Sequence, residues 1–242
     1  MTAIGIYGSL GRMGQAIAAE LDGLGARHAG GTDARDDPAP LAAAADVLVD
    51  FSSPHALAAH LAAARAARTP IVIGTTGLTP AHHAAIDDAA GEIAVLQTGN
   101  TSLGVTLLAQ LVREAAARLG PDWDIEIAEM HHRHKVDAPS GTALLLGAAA
   151  AEGRGTTLAD AAVNDRAGVT GARSEGTIGF ASLRGGSVAG DHSVIFAGEG
   201  ERIELVHRAD SRAIFARGAI TAALWLVRQP PGRYTMAQVL GL

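Results

Sequence analysis

An α/β fold in two parts is predicted by three observations: short apolar runs alternating with alanine-rich stretches up to Asn100, a glycine-rich turn directly after the first run, and consecutive strand-like runs beyond Glu175. Buried strands alternating with helices require crossover connections, and therefore a doubly wound parallel sheet with helices on both faces. A glycine turn between the first strand and the first helix makes that sheet Rossmann-type. Strands that follow one another without intervening helices predict a second α+β domain built on an open antiparallel or mixed sheet.

The elements follow in order. Ala3–Tyr7 reads as the first strand and Arg12–Leu24 as a helix, with His28–Thr32 a weak second strand placed by topology. Asp46–Phe51, a helix over Pro54–Ala67, Ile71–Gly74, a helix after Pro80 and a strand at Ile93–Gln97 continue the alternation. After Asn100 come a long helix from Ser102 to Arg118, a strand at Trp123–Met130 and a helix from Ser140 to Ala151. Gly176–Leu183, Ser187–Ala197 and Arg202–His207 are then read as strands, and Ser211–Val227 as a last helix. The expected domains are 1–101 for dinucleotide binding, 102–210 for substrate binding and oligomerisation, and 211–242 returning to the first, with hinges near Asn100–Ser102 and Asp210–Arg212.

At 242 residues the chain can bury a full core without staples, and it has no cysteine. That excludes disulfides, thiolate nucleophiles and cysteine-ligated metal. A net charge of −6 with 3% aromatic residues argues against a nucleic-acid surface. The first strand begins almost at Met1 and no apolar stretch reaches membrane-spanning length, so a cytoplasmic protein is expected.

In Ile4-Gly5-Ile6-Tyr7-Gly8-Ser9-Leu10-Gly11-Arg12-Met13-Gly14 the glycines stand where backbone must turn sharply and approach a pyrophosphate. The following helix offers its unpaired N–H groups to the phosphates. Asp33, at the end of the expected second strand, is placed to bond ribose hydroxyls and favours NADH; Arg12 or Arg35 leaves NADPH open. Gly74-Thr75-Thr76-Gly77 and Thr98-Gly99-Asn100-Thr101 follow the fourth and fifth strands, at the carboxyl edge where such sheets bind ligands. Ordinary turn chemistry reads equally well there.

The most informative stretch runs from Glu129 through His131-His132-Arg133-His134-Lys135 to Pro139-Ser140-Gly141-Thr142, between a strand and a helix. Three of the ten histidines lie in it, and so much potential positive charge implies an anionic ligand. Lys135 is the one lysine among 19 basic side chains of the Lys/Arg type. Unlike arginine, it can release a proton. His131 is the candidate general acid–base group, with His132 or His134 contacting substrate. The spacing lacks the pair separated by one helical turn that zinc sites use, so no metal is expected. Ser140 is placed as the cap of the next helix, whose first N–H groups, at Gly141 and Thr142, form a carboxylate seat.

Gly8-x-x-Gly11-Arg12-Met13-Gly14, Val49-Asp50-Phe51-Ser52, Gly74-Thr75-Thr76-Gly77, the His131-to-Ala143 motif and Arg184-x-Gly186-x-x-x-Gly190-x-His192 together resemble the dihydrodipicolinate reductases, also called 4-hydroxy-tetrahydrodipicolinate reductases, of diaminopimelate and lysine biosynthesis. The resemblance implies hydride transfer from NADH or NADPH to C4 of a cyclic dicarboxylate, with His131 and Lys135 in acid–base roles. It implies that His132, Lys135, Gly141 and Thr142 hold the carboxylates. The implied cofactor contacts are Gly8, Ser9, Leu10, Gly11, Arg12, Met13, Asp33, Gly74, Thr75, Thr76, Thr98, Gly99, Asn100 and Thr101. A homotetramer is implied as well. Ala34, where many members carry arginine, leans the cofactor toward NADH, and Thr101 stands where an aromatic is common. A non-enzymatic NAD-sensing protein is the rival from another class.

Overall fold

The computed structural model describes residues 1–242 and forms two compact units, Met1–Leu103 with Arg212–Leu242, and Gly104–Ser211. The chain runs through β1 (Thr2–Tyr7), α1 (Arg12–Glu20), β2 (Ala26–Thr32), α2 (Ala39–Ala44), β3 (Val47–Asp50), α3 (Leu57–Ala67), β4 (Ile71–Ile73), α4 (Pro80–Ala90) and β5 (Ala94–Gln97). It continues through α5 (Leu103–Leu119), β6 (Asp124–His131), α6 (Gly141–Gly153), α7 (Leu158–Ala161), β7 (Ala162–Val163), β8 (Ile178–Arg184), β9 (Gly190–Gly198) and β10 (Glu201–Ala209). α8 (Ala213–Leu226), β11 (Gly232–Tyr234) and α9 (Met236–Val239) complete it.

In the first unit six strands lie in the order β11-β5-β4-β3-β1-β2, every pairing parallel. Alternate strand residues serve opposite faces. Ile4, Ile6, Val49, Val72 and Leu96 pack with Ile17 of α1 and with Ala219, Ile220 and Ala223 of α8. Tyr7, Leu48, Ile73 and Val95 pack with Leu57 and Leu61 of α3 and Ile86 of α4. Burial on both faces is why these strands read as unbroken apolar runs. β2 is weakly marked because it is an edge strand, largely exposed beyond Ala26 and shifted in register against β1 between Ile4 and Gly5.

The second unit is a mixed sheet in the order β10-β9-β6-β8-β7. β6 runs parallel to β8 and antiparallel to β9, and β9 antiparallel to β10. Its core joins Ile125, Ile127, Val194 and Phe196 to Val112 and Ala116 of α5 and Leu146 and Ala150 of α6.

Several boundaries differ from expectation. The first helix stops at Glu20, and Asp22–Leu24 is a tight turn closed by Gly25 at φ 72°. Pro54–Ala56 forms a separate turn before α3. The last long strand pair starts at Gly190 rather than Ser187. The short elements α2, α7, β7, β11 and α9 carry too few residues to show a period. No helix is long and apolar enough to cross a membrane.

Candidate functional site

In the first unit the glycine loop joins β1 to α1 at the carboxyl edge of the sheet. Gly8 adopts φ +80°, and a Cβ there would stand 2.7 Å from the Phe51 carbonyl oxygen. A Cβ on Gly14 would come within 2.3 Å of the Gly8 oxygen, so the helix meets its own loop only because residue 14 is glycine. Gly11 is the N-cap of α1, with no side-chain cap and no acidic residue in the first turn. The positive end of the helix is therefore left for an anion. A cavity of about 250 Å³ opens here, lined by Gly8, Gly11, Asp33, Phe51, Ser52 and His60, among others. A glycine-rich loop, a helix N-terminus and a carboxylate on one cavity fit the pyrophosphate and ribose of a dinucleotide.

Asp33 is held by residues of its own loops. Its carboxylate accepts from the Ser9 hydroxyl at 2.7 Å and from the Leu10 N–H at 3.1 Å, while its own N–H donates to Asp36 at 2.8 Å. Ser9 and Leu10 thus hold the acid, while Arg12 and Arg35 are exposed. Gly74 is required by Phe51, whose ring would lie 2.2 Å from a Cβ at that position. Thr75 is buried and bonds Asp50 through Oγ1, whereas Thr76 is exposed. In the loop after β5, the Thr98 hydroxyl donates to the Asn100 carbonyl and accepts the Asn100 N–H, a local turn beside exposed Gly99. Thr101 ends this loop. It is buried, and its hydroxyl donates 2.7 Å to the Phe215 carbonyl of α8, whose Gly218 leaves room for that close approach.

In the second unit the strand period does the positioning. β6 alternates with Ile125, Ile127, Glu129 and His131 on its buried face. His131 Nδ1 lies 2.5 Å from Glu129 Oε2, and both are at most 9% exposed. Arg184, opposite His131 on β8, grips Glu129 with both guanidinium nitrogens at 2.8 and 2.9 Å. Burial pushes the Glu129 carboxyl upward, but hydrogen bonds from Arg184, Ser182 and His131 outweigh it and hold the group at about 2. The carboxylate therefore fixes the imidazole through Nδ1 and leaves Nε2 on the other side of the ring.

His192 of β9 sits edge-on to His131, ring centroids 5.1 Å apart, with Nε2 3.0 Å from Ser140 Oγ. Burial and, secondly, the neighbouring His131 push it down to about 4. Ser140 caps α6 by accepting the Ala143 N–H at 3.1 Å. Space in front of that N-terminus is open, since a Cβ on Gly141 would meet nothing within 4 Å; Thr142 follows, partly buried. Lys135 is mostly buried and pairs with Asp137 at 2.9 Å. That contact holds the Asp137 carboxyl below its ordinary value. The rings of His132 and His134 lie 6.3 Å apart, His134 exposed and His132 partly buried.

Sequence reasoning gave no role to Glu129, Arg184, His192 or Asp137. The first was legible: a glutamate two residues before a histidine in a strand shares its face. Arg184 and His192 depend on which strands pair, which periodicity does not say, and Asp137 on the path of the loop that folds it back onto Lys135.

Two family models match: the dihydrodipicolinate reductase N-terminus over residues 2–101 and the dihydrodipicolinate reductase C-terminus over residues 104–240. The chain is 58% identical over 246 residues to the 4-hydroxy-tetrahydrodipicolinate reductase of Zymomonas mobilis, covering 99% of this chain and 97% of that protein. It is 50% identical to the enzyme of the same name from Parvibaculum lavamentivorans, covering 98% and 97%. Among solved structures it resembles the dipicolinate-bound dihydrodipicolinate reductase of Paenisporosarcina sp. TG-14, with a TM-score of 0.77 at 23% identity and 97% of each chain covered. At that identity the likeness speaks for the fold.

Proposed function

The chain belongs to the dihydrodipicolinate reductase family, and from that premise we propose that it reduces 4-hydroxy-tetrahydrodipicolinate to tetrahydrodipicolinate in diaminopimelate and lysine biosynthesis. It is a nicotinamide-dependent oxidoreductase. The observation that carries the assignment of roles is His131 held by the buried Glu129 carboxylate at the head of the loop that ends in the capped N-terminus of α6.

Arg12 and Met13 would hold the pyrophosphate through backbone N–H groups at the start of α1, with Gly8 and Gly11, whose own N–H groups bond Thr32 and Gly8 carbonyls, giving it close approach, and Asp33 would hold the adenosine ribose. Gly74 to Thr76 and Thr98 to Asn100 would border the nicotinamide. When bound, a reduced nicotinamide would supply the hydride that C4 of the substrate receives once its 4-hydroxyl has left as water. The protein does the rest. Gly141 and Thr142 seat one carboxylate at the positive end of α6, and His132 with Lys135 hold the other. Lys135 Nζ exchanges Asp137 for that carboxylate. His131 Nε2 passes the proton that completes the reduction, and Glu129 stabilises the imidazolium form that donates it.

Asp33 carries negative charge where a 2′-phosphate would sit, and Ala34 supplies no cation. NADH is therefore the preferred cofactor, with NADPH accepted more weakly. The protein acts in the cytoplasm as a homotetramer, a state that light scattering checks directly.

The test is oxidation of NADH and NADPH, in parallel, with substrate generated in situ from pyruvate and aspartate semialdehyde by the preceding synthase. Oxidation that requires both precursors, faster with NADH, is the expected result. Silence with both cofactors, from protein that binds NADH, would overturn the reading in favour of a redox sensor.

A further inference from the structure

Beside the glycine cradle lies a polar cluster around two buried groups, Asp50 and His60, to which the proposed chemistry gives no task. Asp50, the last residue of β3, is wholly inaccessible. Its carboxylate accepts from the Ser52 N–H at 3.0 Å, the Ser52 hydroxyl at 2.6 Å and the Thr75 hydroxyl at 3.1 Å, and lies 2.8 Å from His60 Nδ1. His60, on α3, is 8% exposed and stacks on Tyr7 with ring centroids 4.0 Å apart. The Tyr7 hydroxyl in turn donates to the Pro38 carbonyl.

A buried carboxylate is a poor way to stabilise a fold, because well-packed apolar side chains at such sites serve as well or better. The donors gathered here share something other than core packing. Ser52 and His60 line the same cavity as Gly8, Gly11 and Asp33, and Thr75 belongs to the loop after β4. One carboxylate thus ties the wall after β3, the loop after β4 and helix α3 to a common point. His60 is the donor that comes from outside the two loops.

We propose that His60 is a positioning residue for the dinucleotide: by donating Nδ1–H to Asp50 it aims the carboxylate at Ser52 and Thr75, and so fixes the cavity wall against which the adenosine side of the cofactor packs. The inference rests on reading this cavity as the dinucleotide site. It predicts an effect on cofactor binding that exceeds any effect on turnover.

The experiment titrates NADH into the full-length wild type, His60→Phe and His60→Asn, following nicotinamide fluorescence, with KM and kcat measured alongside. His60→Phe keeps a ring against Tyr7 but removes the donor. It should weaken NADH binding about tenfold or more, the value of one hydrogen bond to a charged group, raising KM for NADH while kcat at saturation falls far less. His60→Asn, whose amide nitrogen stands close to the Nδ1 position, should restore most of the affinity. Should His60→Phe fail to fold, Ser52→Ala removes a different donor from the same carboxylate and should weaken NADH binding in the same sense. Wild-type affinity in His60→Phe, or in Ser52→Ala if that variant must stand in, or equal weakness of His60→Asn and His60→Phe, would overturn the positioning role alone. A wild type that binds neither NADH nor NADPH would remove the premise itself.

Discussion

The two units build their sites from opposite materials. In the first, the working surface is backbone: Gly8, Gly11 and Gly14 keep side chains out of a cradle at the N-terminus of α1, with side-chain oxygens only at its edge. In the second it is side chains: His131, Lys135 and the α6 N-terminus, with a buried carboxylate and a guanidinium holding the histidine in place. A site for a large, constant ligand can be made from shape and N–H groups. One that must move a proton needs a titrating group, and such a group needs a fixed charge to hold it.

The contrast predicts unlike failures. His131→Gln should lower turnover by about 10²- to 10⁴-fold while leaving NADH affinity within error; steady-state rates and cofactor titration on one preparation decide it. Equal turnover would remove His131 from the chemistry and make the second site one of binding alone. Glu129→Gln leaves the partly buried Arg184 without its carboxylate and should cost about 3 kcal/mol of stability, the low end for a broken buried pair, read by denaturant unfolding; a loss within error would mean that the carboxylate does not carry the site.

Acid should reach the second unit through His192. Its native value of about 4 lies below the ordinary 6.5, so the unfolded chain binds the extra proton first. Stability is full above pH 6.5 and falls as pH drops toward 4, by on the order of 3 kcal/mol from this group. Glu129, held at about 2 against an ordinary 4.5, adds a second loss between those values. His192→Gln should flatten the upper part of the curve while leaving the lower part in place, as thermal melts across pH would show.

The smallest effect belongs to the cradle. Gly14→Ala forces a Cβ to within 2.3 Å of the Gly8 oxygen and should cost about 1–3 kcal/mol through overpacking. Cofactor affinity should fall and the pH dependence of stability should not change. A variant that binds NADH normally would show that the loop tolerates more than its glycines suggest.

Glycine positions betray themselves in sequence because a side chain is missing where backbone must come close, and that requirement is local. The loop Gly8–Gly14, the cap at Ser140 and the facing of β6 were therefore legible, as was the alternation that yields a parallel sheet. Lys135 stood out by being alone of its kind, but its pairing with Asp137 did not. The fate of Thr101 was also hidden, because its hydroxyl bonds Phe215, in the helix to which the chain returns only at its end.

By itself the sequence determined the order of the long strands and helices, the glycine cradle and the basic loop before α6. Each is governed by interactions between residues a few positions apart. The tertiary structure alone decided that Arg184 and His192 would flank the Glu129–His131 pair, and that Asp50 would collect Ser52, His60 and Thr75. These contacts follow from strand pairing and from the packing of α3 on the sheet. A buried charge is stable only among partners that the whole fold brings to it.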